Sequence, residues 1–348
     1  MADAWLLAPI LIPLGAAFGL PLVRRLPAGL RALLCVLAMG LTLGVLLRFG
    51  PAVLRGETLV YWLGGWAPRA GAAVGISLSL DAWGWLVAVV VALVGLMATL
   101  YALVDMRGES GLGAFYVLVM LLMAGLIGFC LSGDLFNQFV WLEVFSVAGF
   151  ALTAFHIDQP KAIEAAFKYL ITNSLATFFV AMALILIYMQ TGALNLAQVA
   201  DSLEATPAGL VAVGLLIGGY ATKAAILPWH FWLPDAHATA PAPVSAIFSG
   251  ALIHVGIYAV GRTLYSLTPS PAEGVFQGVL LTVAGLSMLV GGLQMVQQSN
   301  IKRILAYSSV SQVGYIALGL GLGTPLGAAA AGLHLVSHAL LKSSLFMG

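Results

Sequence analysis

Eleven runs of about twenty apolar residues follow one another through this chain, and that succession decides the class of fold. They lie near 4–23, 30–48, 79–104, 112–132, 135–155, 163–188, 208–232, 242–266, 275–297, 302–322 and 326–348. A helix that spans the hydrocarbon core needs ~20 such residues. Without water to satisfy the backbone, only helices and closed barrels can cross. Charged residues make up 8% of the chain, against ~25% in soluble domains. The reading is therefore an all-α polytopic membrane protein forming a single transmembrane domain over 1–348. Most connections are short, so successive helices pack antiparallel. The stretch 49–78 is Gly-rich and too short for a separate soluble domain. The first run begins at Trp5 with no basic residue before it and ends in Arg24 and Arg25, which is a spanning helix rather than a signal peptide.

Composition also excludes partners. A net charge of +1 leaves no electrostatic footprint for nucleic acid. Cys35 and Cys130 fall in apolar runs and form no metal-ligand spacing. No GxSxG elbow, P-loop, CxxC pair or Rossmann fingerprint is present. The chain is thus expected to have no catalytic chemistry of its own and no cofactor, so any redox chemistry would lie in partner subunits.

The ionisable residues inside these runs carry the functional signal. Glu143 lies in FNQFVWLEVFSVAGFALTAF, Lys223 in LLIGGYATKAAILPW and His254 in SAIFSGALIHVGIYAVG. A charge near the bilayer centre costs at least ~2.5 kcal/mol on insertion scales. A chain that keeps an acid, a lysine and a histidine there points to ion or proton movement. The run around 208–232 is broken near 223–234, since LPWHFWLPDAHATAPAP carries Pro228, Pro234, Pro241 and Pro243. Broken helices at membrane depth survive where they are buried or line a cavity, and they mark ion sites in transporters. A nearby carboxylate favours the charged form of Lys223 and desolvation opposes it, so a change in the carboxylate's influence can release or bind a proton. The alternative is that Glu143 and Lys223 only fix helix packing.

His334, His338 and Lys342 recur at i, i+4 and i+8, and four residues advance a helix by ~400°, so the three share one stripe. A hydrated relay and satisfied packing both fit. The HxxxH spacing also occurs in zinc sites, but no Asp, Glu or Cys joins it on that helix and no metal is assigned. Lys168 stands close enough to a helix start to snorkel, so a structural role and a relay role are both open. Lys302 and Arg303 read as positive-inside anchors, and Asp134 and Asp235 as caps or loop contacts. With the N-terminus outside, inner loops hold Arg24, Arg25, Arg31, Arg107, Lys161, Lys302 and Arg303, and the outer side holds Arg48, Arg55, Arg69 and Arg262. That asymmetry favours N-out.

GDLFNQFVWLEVFSVAGFAL resembles the fifth helix of the D-type subunit of Mrp multisubunit cation/proton antiporters. KAAILPWHFWLPDAHATAPAPVSAIFSGALIHVGIYAVGR resembles the seventh and eighth helices of the wider antiporter-like superfamily, which includes membrane subunits of complex I and of membrane-bound hydrogenases. IKRILAYSSVSQVGYIALG and HLVSHALLKSSLF resemble its tenth and eleventh helices. The resemblance implies a proton-translocating fold with inverted five-helix repeats: N-terminal helices over 1–111, a first repeat over 112–266 and a partial second repeat over 275–348. Glu143 would be the fifth-helix acid paired with Lys223, Lys168 the sixth-helix lysine, and His254 would replace the usual eighth-helix lysine. His334, His338 and Lys342 would line the eleventh helix. An internal offset of 165 residues, which lays Gly149 on Gly314, would put the second broken-helix residue near 388, so the chain is expected to be truncated or partial.

Three functions follow in order. The first is a proton-translocating subunit of a Na+/proton antiporter in the inner (plasma) membrane, partnered by other membrane subunits. The second is a proton-pumping subunit of a complex I-like or hydrogenase-like assembly. The third is a transport-inactive scaffold. His254 is expected to stand between Lys223 and the stripe at His334, neutral unless a proton is passing, since imidazole starts near a pKa of ~6.5 where lysine starts near ~10.4.

Overall fold

A computed structural model describes residues 3–68 and 73–348. Arg69, counted above on the outer side, lies outside the described residues. The long helices are α1 (Ala8–Leu22), α2 (Ala28–Leu54), α3 (Ala82–Asp105), α4 (Leu112–Leu131), α5 (Leu135–Thr153) and α6 (Pro160–Thr191). A short α7 (Leu196–Ser202) precedes α8 (Pro207–Lys223) and α9 (Trp232–Thr239). Then follow α10 (Ala242–Ile247), α11 (Ile253–Ser266), α12 (Glu273–Val296), α13 (Ile301–Gly321) and α14 (Pro325–Met347). Each of the eleven apolar runs is helical. Among the described residues, nine helices are long and apolar enough to cross a membrane. The other two runs differ for stated reasons: α8 stops at Lys223, and α14 carries His334, His338 and Lys342.

Helix starts follow local chemistry. Asp81, Asp134, Asn195, Thr206 and Thr324 each accept a backbone N–H from the first turn they precede, satisfying donors that have no partner within the helix. Asp134 is thus a cap, as its position implied. Proline opens α6, α8 and α14, where its missing N–H costs nothing.

Two features depart from the sequence reading. The Gly-rich stretch holds a two-stranded antiparallel hairpin, β1 (Leu59–Trp62) with β2 (Ser77–Leu80). The connection near 189–207 contains α7, capped by Asn195. Asn195 also donates to Ser77 Oγ at 3.0 Å, and Gly133 N donates to Ser77 O, so the hairpin clasps one end of the bundle. Both elements are too short to show a period in sequence.

Lipid-facing surfaces are apolar, the reverse of a water-soluble protein: Leu37, Leu41, Phe178, Val275 and Leu289 are all more than half exposed. At the centre stands the α10–α11 segment, whose spanning window is entirely buried. It packs against α3, α8, α13 and α14. Between α10 and α11, Phe248–Leu252 forms a wide π turn. Glycine permits the closest of these approaches. A Cβ on Gly256 of α11 would lie 2.4 Å from the backbone nitrogen of Ala224, just past the end of α8.

Gly256→Ala is therefore expected to lower the melting temperature of the detergent-solubilised protein, because overpacking against backbone costs ~1–3 kcal/mol. Gly278→Ala on α12, with nothing within 4 Å, should be neutral or stabilising. Equal melting curves for the parent and Gly256→Ala would show that the α8–α11 contact yields freely.

Candidate functional site

The break after α8 creates the site. Beyond Lys223 the chain turns through Ala225, whose φ of +54° is a left-handed conformation rarely adopted outside glycine. The freed backbone groups find partners. Ala225 N and Ile226 N return to carbonyls of α8, Trp232 Nε1 donates to Thr222 O at 2.9 Å, and Leu227 N donates to Ser287 Oγ of α12 at 3.0 Å. Trp232 is fully buried and stacks on Tyr169 at 4.4 Å. The α9 half-helix then resumes towards the opposite end of the bundle.

Lys223, 1% exposed, occupies the last turn of α8. The negative end of a helix dipole lies there and stabilises positive charge. Its Nζ donates to Ser146 Oγ at 2.6 Å and stands 5.7 Å from the Phe145 ring centre. Ser146 Oγ in turn donates to Leu142 O at 2.5 Å. Glu143 is half-buried one turn earlier on α5. Among the described residues the two form no direct ion pair. The serine, not the acid, touches the ammonium. Ser146 was legible only as a polar residue three positions after Glu143.

A second cluster sits across α11. His254 Nε2 and His338 Nδ1 are 2.9 Å apart, so one imidazole donates to the other. His334 lies parallel to His338 with ring centres 6.3 Å apart. Lys342 Nζ donates to Leu305 O at 3.1 Å. His254 is fully buried, and His338 and Lys342 nearly so. The stripe at i, i+4 and i+8 is one row, as its spacing required. His254 meets that row at His338 rather than at His334, because the π turn and α14 press together at Gly250, where a Cβ would lie 2.0 Å from Ser343 Oγ.

Lys168 is not part of the buried set. Its side chain is 49% exposed and pairs with Glu164 at 2.7 Å and Asp235 at 2.8 Å. Arg303 binds the other oxygen of Asp235 at 2.6 Å. Asp235 is thus an ionic bridge between α6 and α13 rather than a cap. Lys302 also reaches inward, donating from Nζ to Ala240 O at 2.8 Å. Lys168, Glu164, Asp235 and Arg303 line a polar pocket at the end of the bundle opposite the hairpin. Sequence reasoning also passed over His237, fully buried on α9 and stacked on Phe346 at 4.4 Å. Among the described residues neither of its ring nitrogens has a partner.

Comparison with known proteins places this geometry. Residues 132–348 match the family described as NADH:quinone oxidoreductase/Mrp antiporter, TM. The N-type subunit of an NADH-quinone oxidoreductase from Desulforudis audaxviator is 38% identical over 97% of this chain and 68% of its own. The D-type subunit of a Na(+)/H(+) antiporter from Alkalihalophilus pseudofirmus is 34% identical over 82% of this chain and 57% of its own. Among solved structures, a chain of the membrane-bound sulfane sulfur reductase, an archaeal respiratory membrane complex, superposes with a TM-score of 0.92 at 31% identity, covering 99% of this chain and 70% of that one. The chain therefore spans little more than half to about two thirds of the length of these relatives. A family match over most of the sequence, with the fold of a respiratory membrane subunit, shows that the chain belongs to the NADH:quinone oxidoreductase/Mrp antiporter transmembrane family.

Proposed function

We propose that this chain is the proton-translocating part of a subunit of a multisubunit monovalent cation (Na+)/proton antiporter, working in the cell membrane with other membrane subunits. The observation that carries the reading is Lys223: a buried lysine at the end of a broken helix, hydrogen-bonded to Ser146 and in the field of Glu143. In this reading Lys223 holds and releases the proton, Glu143 biases it, and His254 passes it to His338, His334 and Lys342. Imidazole suits that task because one ring nitrogen accepts a proton while the other gives one up. Lys168, in an exposed ion-pair cluster, would act at the aqueous end of the path. Helices 112–266 and 275–348 would form the complete and the partial repeat. The Na(+)/H(+) antiporter relative supports the cation, which no residue here identifies.

A second reading is a proton-pumping subunit of a respiratory complex. The relative that covers 97% of this chain and the archaeal respiratory structure favour it. Gene neighbours separate the two: small antiporter subunits on one side, quinone or hydrogenase subunits on the other. The residue assignments are common to both.

Glu143→Gln and Lys223→Ala, tested in the native complex in proteoliposomes, should each lower proton-coupled transport by about a hundredfold while the complex still assembles. Parent-like transport by both variants would leave only the scaffold reading.

Orientation is checked separately. The N-terminus and the segments around α7 and 267–274 are assigned to the outside. A cysteine introduced as Ser202→Cys, on exposed α7, should react with an impermeant maleimide added outside intact cells. Labelling from the cytoplasmic side alone would invert the topology.

A further inference from the structure

The site above leaves Lys223 and His254 in the middle of the bundle, and the groups between them and the hairpin end have no assigned role. Two of these lie in register with His254. Tyr258 follows His254 by four residues on α11, and Arg262 follows Tyr258 by four, so all share one stripe. Tyr258 is fully buried, and its hydroxyl donates to Cys130 O at the end of α4 at 3.2 Å. The Arg262 guanidinium stands 5.9 Å from the Tyr258 ring centre and forms an ion pair with Asp81. On α8, Tyr220 precedes Lys223 by three residues. It is buried, and among the described residues its hydroxyl has no partner. Tyr220 and Tyr258 both stand edge-on to the same ring, Phe129, at 5.7 and 6.4 Å.

Gly84 connects these groups to the surface. A Cβ there would lie 3.3 Å from the Tyr258 hydroxyl, 3.2 Å from Asp81 Oδ1 and 3.1 Å from Cys130 O. Phenol, carboxylate and carbonyl thus converge on one narrow gap beside residue 84, which a side chain there would crowd. A cap and a clasp would explain Asp81 and Arg262, but neither needs glycine in the first turn of α3, where it is a poor helix former. Beyond Asp81 lies a cavity of about 280 Å3 lined by Ser77, Ser79, Asn195 and Ser266, with exposed residues such as Ala197 and Ala200 at its rim.

We propose that Tyr220, Tyr258 and Asp81 form a proton limb leading from the Lys223–His254 centre to the hairpin end, with Arg262 positioning the Asp81 carboxylate and Gly84 keeping the junction open. This rests on the proton-translocating reading above. Each step is a proton transfer alone. A phenol oxygen accepts a proton on one side while its own proton passes onward, and Asp81 takes it up and releases it to the cavity. One charge moves and the hydroxyls are regenerated.

The test uses the chain in its native complex, reconstituted in proteoliposomes, with Glu143→Gln as reference. Tyr258→Phe keeps the ring and removes the hydroxyl, and Gly84→Ala fills the junction. Each should lower proton-coupled flux by about a hundredfold at unchanged assembly. Asp81→Asn keeps a capping side chain and should lose flux, and Asp81→Glu should recover part of it with a shifted pH profile. Because Asp81→Asn leaves Arg262 unpaired, the double variant D81N/R262Q is included, and it should be as inactive as the single one. Parent-like flux in Tyr258→Phe, or in D81N/R262Q, overturns the limb. If Glu143→Gln is inactive in the same preparations, the proposed function survives that result. If Glu143→Gln and Lys223→Ala also transport like the parent, both fall. A loss of flux in Tyr258→Phe and Gly84→Ala that only tracks lost assembly, with D81N/R262Q active, assigns these residues to packing and also overturns the limb.

Discussion

A helix that stops in mid-membrane must find partners for its end, and the rest of this structure is arranged around that requirement. No water in the hydrocarbon core can take up the free carbonyls and amides, and each unsatisfied group there costs several kcal/mol. At the end of α8 the partners come from three directions: the indole of Trp232, the hydroxyl of Ser287 and the backbone of the turn itself. Gly256 lets α11 close over the gap. Once the break is sealed, its dipole end is the natural place for a cation, and Lys223 occupies it.

The charge arrangement around that lysine is looser than a salt bridge, and the looseness has a physical use. A buried ion pair in direct contact is strongly held, and removing one partner costs several kcal/mol. Here the direct partner of the lysine is a neutral hydroxyl, Ser146 Oγ, with Glu143 one turn earlier on the same helix. In the proposed cycle such a lysine responds to a change of charge at a distance without first breaking a contact.

Much of this was legible in the sequence, and the limits of legibility have physical reasons. Hydropathy alone marks the eleven helices, and the prolines around 228–243 mark the break. The stripe of His334, His338 and Lys342 follows from helix geometry, and the pairing of α11 with it is visible as an ionisable residue in a central apolar run. What sequence misses is contact. That Ser146 rather than Glu143 touches Lys223 depends on the rotation of α5, which one turn of offset decides. Lys168 and Asp235 look like separate helix-end residues because 67 positions divide them, yet they form one ion pair. The hairpin and α7 are too short to carry a period. His237 stands in a proline-rich stretch that reads as loop, whereas α9 buries it.

Charge is distributed unevenly along the path, and the distribution bears on how a proton would cross. At the end opposite the hairpin, Lys168, Glu164, Asp235 and Arg303 are partly exposed and mutually paired. At the hairpin end Arg262 and Asp81 pair in a more enclosed setting. Between them stand the buried groups: Lys223, the two bonded imidazoles of His254 and His338, and Lys342. In the proposed path the histidines in the middle of the row are places of transit, and the lysines at its ends are places of residence. Two bonded imidazoles can share that transit only one proton at a time, because a ring nitrogen that donates to its neighbour needs the neighbour's nitrogen bare. In the proposed path the 2.9 Å contact of His254 with His338 sets the order of one step: His338 must be free of its proton before His254 can hand one over.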